Sequence, residues 1–423
     1  MQIIENLKVK EKLYIEKLEN GLTIMIVPKK GIQKKYIIWG TNYGSNDSKF
    51  IVPGEKDVTE VPDGVAHYLE HKLFEQENGR NSLDVLSALG VNANAYTTNN
   101  HTAYLYECTD KFYEALDEFM DYVQHPYFTD ENVEKEKGII GQEIMMYDDY
   151  PEWKVYLNAL QAMYHENPIK IDVTGTVETI APIDKEILYK CYNTFYNPSN
   201  MAMVICGDFE PEEILEEVKK RLIPNKANGE IKRIYPEEPE TIVKPKVEQK
   251  MEVNTPLYII GIKDKETEQK EAVKKHIAIE ILLNLIFGQS SDLYKKLYNE
   301  GTIYSSPSLE YDFAKGYAHI LITGQAKEPE IVFEEFKNTV RNFKQNGIDE
   351  KDFIRIRKMI YGSYIKEYDG PQDIARMFLA DYFKGINSFD YLEEIDSVNL
   401  DYAKQVLEEV FKEERMVLSV VKN

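Results

Sequence analysis

Alternating and helical patterns of apolar residues divide the chain into two runs of similar elements. Residues 13–28 alternate around Asn20-Gly21, which predicts a hairpin with 22–27 as its second strand. A further strand is expected at 35–40, then a polar loop over 44–64 broken by Pro53 and Pro62. Residues 63–76 carry Val65, Ala66, Leu69, Leu73 and Phe74 at helical spacing, and a second short helix over 81–89 follows, capped by Asn81 or Ser82 and stopped by Gly90. Residues 91–97 and 102–108 alternate as strands with Asn99-Asn100 at the turn. Helices are expected over 111–124, 131–147, 153–165 and 185–196, then a buried strand at 201–206 and a helix to about 222.

Residues 223–247 are rich in Pro, Lys and Glu and read as an extended linker. Beyond it the order recurs. A strand pair is expected within 248–262, helices over 269–287 and 291–298, and strands at 308–311 and 316–324. Helices over 329–346, 350–368 and 371–383 follow, and a further helix precedes the last strand at 416–421. Each half contains a helix leading into an apolar strand that begins with Met, which indicates an internal duplication. The predicted class is α+β: two homologous α/β-roll halves, each an antiparallel sheet flanked by helices. The expected domains are 1–222 and 248–423, with 223–247 between them.

Composition narrows the partners. The 423 residues carry 51 Lys and Arg against 73 acids, a net charge of −22. Such a surface argues against nucleic acid or an anionic membrane as main partner, and would tolerate basic peptides. No apolar run approaches the ~20 residues of a membrane span. The first ten residues lack the apolar core of a secretion signal. Three cysteines, Cys108, Cys191 and Cys206, are too few for a disulfide framework and fit a reducing cytoplasm.

The chemistry concentrates at His67-Tyr-Leu-Glu70-His71. On a helix, positions i, i+3 and i+4 share a face, so His67 and His71 stack one turn apart with Glu70 beside them. Two imidazoles at that spacing can take two corners of a tetrahedral zinc, and the carboxylate can handle the proton of a water the metal acidifies. The order His-x-x-Glu-His is an inverted zinc-peptidase signature. Zinc still needs a third protein ligand. Glu136 and Glu143, seven apart on the helix over 131–147, are the best candidates. Ile139 and Ile140 lie one turn before Glu143, and a carboxylate on an apolar face needs a partner.

These residues resemble the pitrilysin (insulinase-like) family of zinc peptidases. The resemblance runs in order through Asn20-Gly21-Leu22, Gly64 to Phe74, Asn94-Ala95-Tyr96-Thr97, Glu134 to Glu143 and Phe195 to Met201. It covers most of 10–210 and is weaker over 246–423. The motif helix continues His71-Lys-Leu-Phe-Glu75, as in the family's bacterial cytoplasmic group. The resemblance implies His67, His71 and Glu143 as Zn2+ ligands, Glu70 as general base and Glu136 as the supporting carboxylate. It implies a peptide-binding edge strand at Asn94, Ala95 and Tyr96. Active relatives also carry an Arg–Tyr pair in the second half, aimed at the substrate carbonyl of a facing zinc site. Here Tyr304 matches the Tyr, but the Arg slot reads Leu297 or Tyr298, with Lys295 and Lys296 off register. The expectation is a cytoplasmic zinc endopeptidase working as a dimer, with a homologue that supplies the Arg–Tyr pair as one possible partner. A non-catalytic structural or peptide-binding subunit is the alternative.

Overall fold

The computed structural model describes residues 1–423 apart from 78, 225–228 and 268. Two compact units alternate along the chain. The first comprises Met1–Ile144, Asp172–Tyr235 and Ile365–Ser388, and the second Met145–Ile171, Pro236–Tyr364 and Phe389–Asn423.

The first unit holds strands β1 (Gln2–Asn6), β2 (Glu11–Lys17), β3 (Thr23–Pro28), β4 (Lys35–Thr41), β5 (Lys49–Ile51), β6 (Thr59–Glu60), β7 (Asn92–Thr97), β8 (Thr102–Cys108), β9 (Met201–Gly207) and β10 (Lys232–Arg233). Seven of them form one sheet in the order β1-β2-β3-β9-β4-β8-β7, and β10-β5-β6 form a small one. The predicted hairpin is β2–β3, with Tyr14 opposite Ile26 and Gly21 at positive φ in the turn. The large sheet is covered on both faces, which explains why β4 reads as the unbroken run Tyr36-Ile-Ile-Trp39. Ile37 and Trp39 join a core with Leu69, Leu116, Phe119, Leu188 and Phe195 from the surrounding helices. The other face receives the helix Pro371–Phe383, which packs on β4 and β9 with Ile374, Ala375, Phe378 and Leu379 buried.

The second unit repeats this plan with β11 (Lys246–Lys250), β12 (Leu257–Asp264), β13 (Ser308–Ala314), β14 (Tyr317–Gln325) and β15 (Met416–Lys422). Their order, β11-β15-β12-β14-β13, matches β3-β9-β4-β8-β7 strand for strand. The helix Pro151–Met163 belongs to this unit. Its Val155, Ala159, Leu160 and Met163 share a core with Leu257, Ile259, Leu321, Val417 and Val421.

The structure corrects four details. The units do not follow the expected boundaries 1–222 and 248–423, because each half of the chain places one helix on the sheet of the other unit. Each of the two large sheets contains one parallel pair, β3 with β9 and β11 with β15. The last strand of each half returns after a long helical excursion, which permits a parallel neighbour. The strands within 248–262 are not partners, since β15 lies between β11 and β12. Where described, the expected linker is tied down. Arg233 pairs with buried Asp47 at 3.0 Å, and the Glu238 carboxylate accepts the amides of His165, Glu166 and Asn167 at 2.7–2.9 Å.

The exchanged helices approach their sheets over glycine. A side chain at Gly40 of β4 would start 2.9 Å from Leu379 and Phe383, and one at Gly261 of β12 would start 2.8 Å from the Met163 sulfur. Overpacking of this kind costs about 1–3 kcal/mol. Gly40→Val is therefore expected to lower the urea midpoint clearly, and Gly261→Ala to lower it less, because methionine yields more easily than phenylalanine. An unchanged midpoint for Gly40→Val would show that the helix is not seated as described.

Candidate metal centre

The motif occupies the helix Val65–Lys72. Val65, Ala66 and Leu69 are buried, and so are His67 and Glu70, each 8% exposed. A second helix, Asp130–Asp148, carries Glu136 and Glu143. The Tyr68 hydroxyl donates to the Val133 carbonyl and ties the two helices together. Val133, Ile140 and Ile144 are buried on the second helix, but Ile139 is 48% exposed. The apolar face beside Glu143 thus comes from Ile140 and Ile144 and not from Ile139.

The structure brings His67, His71 and Glu143 together, with one donor atom from each within 4.8 Å of the others. Glu143 Oε2 lies 3.7 Å from His67 Nε2 and 3.5 Å from His71 Nε2. Ligand atoms about 2.0–2.1 Å from a tetrahedral zinc stand roughly 3.4 Å apart, so these separations suit a cation better than a direct hydrogen bond. The donor set fits as well, being two imidazoles and a carboxylate. Burial, with His71 nearby, pushes the pKa of His67 down to about 3, which keeps its ring neutral as a ligand must be. His67 Nδ1 is buried without a hydrogen-bond partner.

The surrounding groups orient this set. His71 Nδ1 stands 3.2 Å from Glu136 Oε1, which directs the other ring nitrogen toward Glu143. Burial works against a charged His71, but the bond to Glu136 and the fields of Glu70 and Glu143 outweigh it and raise its proton affinity. A proton is favoured there for the reason any cation is. Burial also raises the proton affinity of Glu70 and Glu143. For Glu136 burial is outweighed by His71 and Lys72, and its pKa falls.

Two contributors carry no role in the sequence reading. Lys72 is 1% exposed, bonds Glu75 and lies 3.5 Å from Glu136 Oε2. Its position between His71 and Leu73 within an apolar helix was the available signal. Thr97 donates to Glu70 Oε2 at 2.6 Å. It is the last residue of the Asn94-Ala95-Tyr96-Thr97 segment.

Asn94, Ala95 and Tyr96 lie on β7, the outer strand of the large sheet. Asn94 is exposed and its side-chain oxygen accepts the Ala95 amide at 2.9 Å. Tyr96 lies under the Arg376 guanidinium, 5.2 Å from the ring centre.

Comparison with known proteins decides the family. A model for insulinase, peptidase family M16, matches residues 57–177, and one for the peptidase M16 inactive domain matches 182–360. The uncharacterized zinc protease YmfH of Bacillus subtilis is 38% identical over 99% of this chain and 98% of its own. The chain belongs to the insulinase family. A putative M16-like peptidase from Alicyclobacillus acidocaldarius superposes with a TM-score of 0.94 at 34% identity, over 99% of this chain and 100% of that one. A protease from Helicobacter pylori, 18% identical, shares the fold with a TM-score of 0.82 over 98% and 100% of the two chains.

Within this insulinase-family chain, Tyr304 lies in the second unit, 52% exposed, with Lys327 5.9 Å from its ring. At the Arg slot, Leu297 is fully buried and Tyr298 is exposed. Lys295 pairs with Asp292 and Lys296 with Glu335. Among the described residues, no helix is long and apolar enough to cross a membrane.

The purified protein is expected to hold about one zinc per chain. His71→Ala and Glu143→Gln should each abolish stoichiometric binding, as read by elemental analysis after dialysis. Full zinc in both variants would remove these two residues from the site.

Proposed function

We propose that this insulinase-family protein is a zinc-dependent endopeptidase that hydrolyses peptides or unfolded segments within a chamber formed by two chains. The observation that carries the reading is the convergence of His67, His71 and Glu143 beside Glu70 on a buried helix face. His67, His71 and Glu143 would hold the zinc, and Glu136 would orient His71. Zinc, when bound, supplies a Lewis acid that acidifies water and polarises a peptide carbonyl. Glu70 accepts the proton of the attacking water and returns it to the leaving amine. Its raised proton affinity suits both steps.

The substrate main chain would add to β7 as a further strand, which gives loose sequence preference. It would displace the Asn94 side chain from the Ala95 amide, with Tyr96, two residues on and on the same face, shaping the strand. A cytoplasmic location completes the reading, in keeping with three free, buried thiols.

The second unit offers Tyr304 without its Arg. Loss of one donor to a developing oxyanion typically costs about 10²–10³ in rate. A homodimer would place an incomplete pair opposite each zinc, whereas a homologue with both residues would supply a complete one. The second reading, a non-catalytic peptide-binding subunit, is favoured only by Leu297 and Tyr298 standing at the Arg slot.

Glu70→Gln should retain zinc and fold but lose peptide hydrolysis by at least about a hundredfold, the scale of a general base. Cleavage of a peptide library at the parent rate would overturn the mechanism. The isolated chain should also be a poor peptidase. Light scattering paired with turnover tests this, and a pure homodimer turning over at roughly 1 s⁻¹ or faster would dispense with the partner.

A further inference from the structure

We infer that Thr97 is a positioning residue for Glu70, so that the strand offered to the peptide also aims the base. This rests on the reading of Glu70 as general base.

Thr97 closes β7, and its hydroxyl lies 2.6 Å from Glu70 Oε2. The direction of that bond follows from its neighbours. Thr102 Oγ1, 3.3 Å from Thr97 Oγ1, has the Tyr43 carbonyl 2.9 Å away and gives its one proton there. The Thr97 proton is left for the carboxylate, which only accepts when ionised. Thr102 is fully buried, and a β-branched side chain on a strand has few rotamers, so the hydroxyl is held rather than offered loosely. One oxygen of Glu70 is thereby fixed and the other is left free for a proton.

Side chains alternate along a strand, so Tyr96 faces the opposite side of the sheet. There it meets Arg376, which also donates to the Tyr36 hydroxyl at 2.9 Å, and His101 at 3.3 Å. The strand is anchored on one face by Tyr96 and linked to the base on the other by Thr97. A peptide hydrogen-bonded to β7 and the carboxylate beside it then share one frame. Reacting groups held in a fixed frame lose little entropy on the way to the transition state.

The test compares Thr97→Val, which keeps the shape and removes the hydroxyl, with Thr97→Ser, which keeps it. In the preparation that cleaves peptides, Thr97→Val should lower kcat by about 10- to 100-fold, the usual scale for a residue supporting a site from outside it. KM and zinc content should stay near the parent values, and Thr97→Ser should recover most of the rate. In a Glu70→Gln background, Thr97→Val should add almost nothing, because the group it positions is gone. A crystal structure of zinc-loaded Thr97→Val should show the Glu70 carboxylate moved or spread over rotamers, and that of Thr97→Ser should not. A parent-like rate with Glu70 in place, or loss of zinc from Thr97→Val, would overturn the proposal. If no preparation cleaves peptides, the reading of Glu70 as base fails, and the carboxylate position in the two structures still decides what Thr97 does.

Discussion

Burying charge between two packed helices is the constraint on which the candidate site depends. Glu70, Glu136 and Glu143 bring three carboxylates to the junction of the motif helix and its neighbour, and Lys72 brings one ammonium. With both imidazoles neutral, three negative charges against one positive leave two negative charges. Isolated carboxylates taken out of water are costly, and hydrogen bonds alone do not remove the excess. A divalent cation between His67, His71 and Glu143, as proposed, would balance what remains. Glu75, which also bonds Lys72, is 30% exposed and keeps part of its hydration. The groups around the site and the groups that would hold the metal therefore form one electrostatic unit.

The second unit shows what the same architecture does without that charge. By order, the helices Gln269–Phe287 and Glu350–Lys366 correspond to the motif helix and the glutamate helix. They are tied by the Tyr364 hydroxyl donating to Glu280, while His276 Nδ1 lies 3.0 Å from the Tyr391 hydroxyl. One carboxylate, Glu280, stands here where the first unit brings three, and it meets a phenolic hydroxyl and His276 Nε2 at 3.6 Å. The sheet order and the packed crossing helix persist, so the fold is carried by apolar cores and strand ladders, and the His67–His71–Glu143 cluster is an addition to one copy.

Much of this was legible from periodicity. The hairpin around Asn20-Gly21, the strands at β4, β7, β8, β9 and β15 and most helices lie where alternation and spacing put them. The clustering of His67, His71 and Glu143 follows from local helix geometry plus one long-range contact. What escaped depends on tertiary placement. Ile139 has the same chemistry as Ile140, and only the packing decides that one is exposed. The helices Pro151–Met163 and Pro371–Phe383 have apolar faces that do not say whose sheet they cover, so the exchange was hidden. Thr97 reads as an ordinary β-branched strand residue until Glu70 is seen beside it.

The outer strands of the two large sheets differ in charge. Unpaired strand edges invite pairing with other chains, and charged side chains are the usual protection. β1 carries Glu5, β11 carries Lys246, Glu248 and Lys250, and β13 carries Glu310 and Asp312. β7, Asn-Ala-Asn-Ala-Tyr-Thr, has no charged residue among these four outer strands of the two large sheets, and its alanines keep the approach to the main chain open. Its protection is a reversible one, the Asn94 oxygen on the Ala95 amide, which an incoming amide or carbonyl can replace at little cost. An edge without charge would be a hazard on a structural strand. It would suit a strand that accepts a peptide main chain, the role proposed for β7, whose last side chain hydrogen-bonds Glu70.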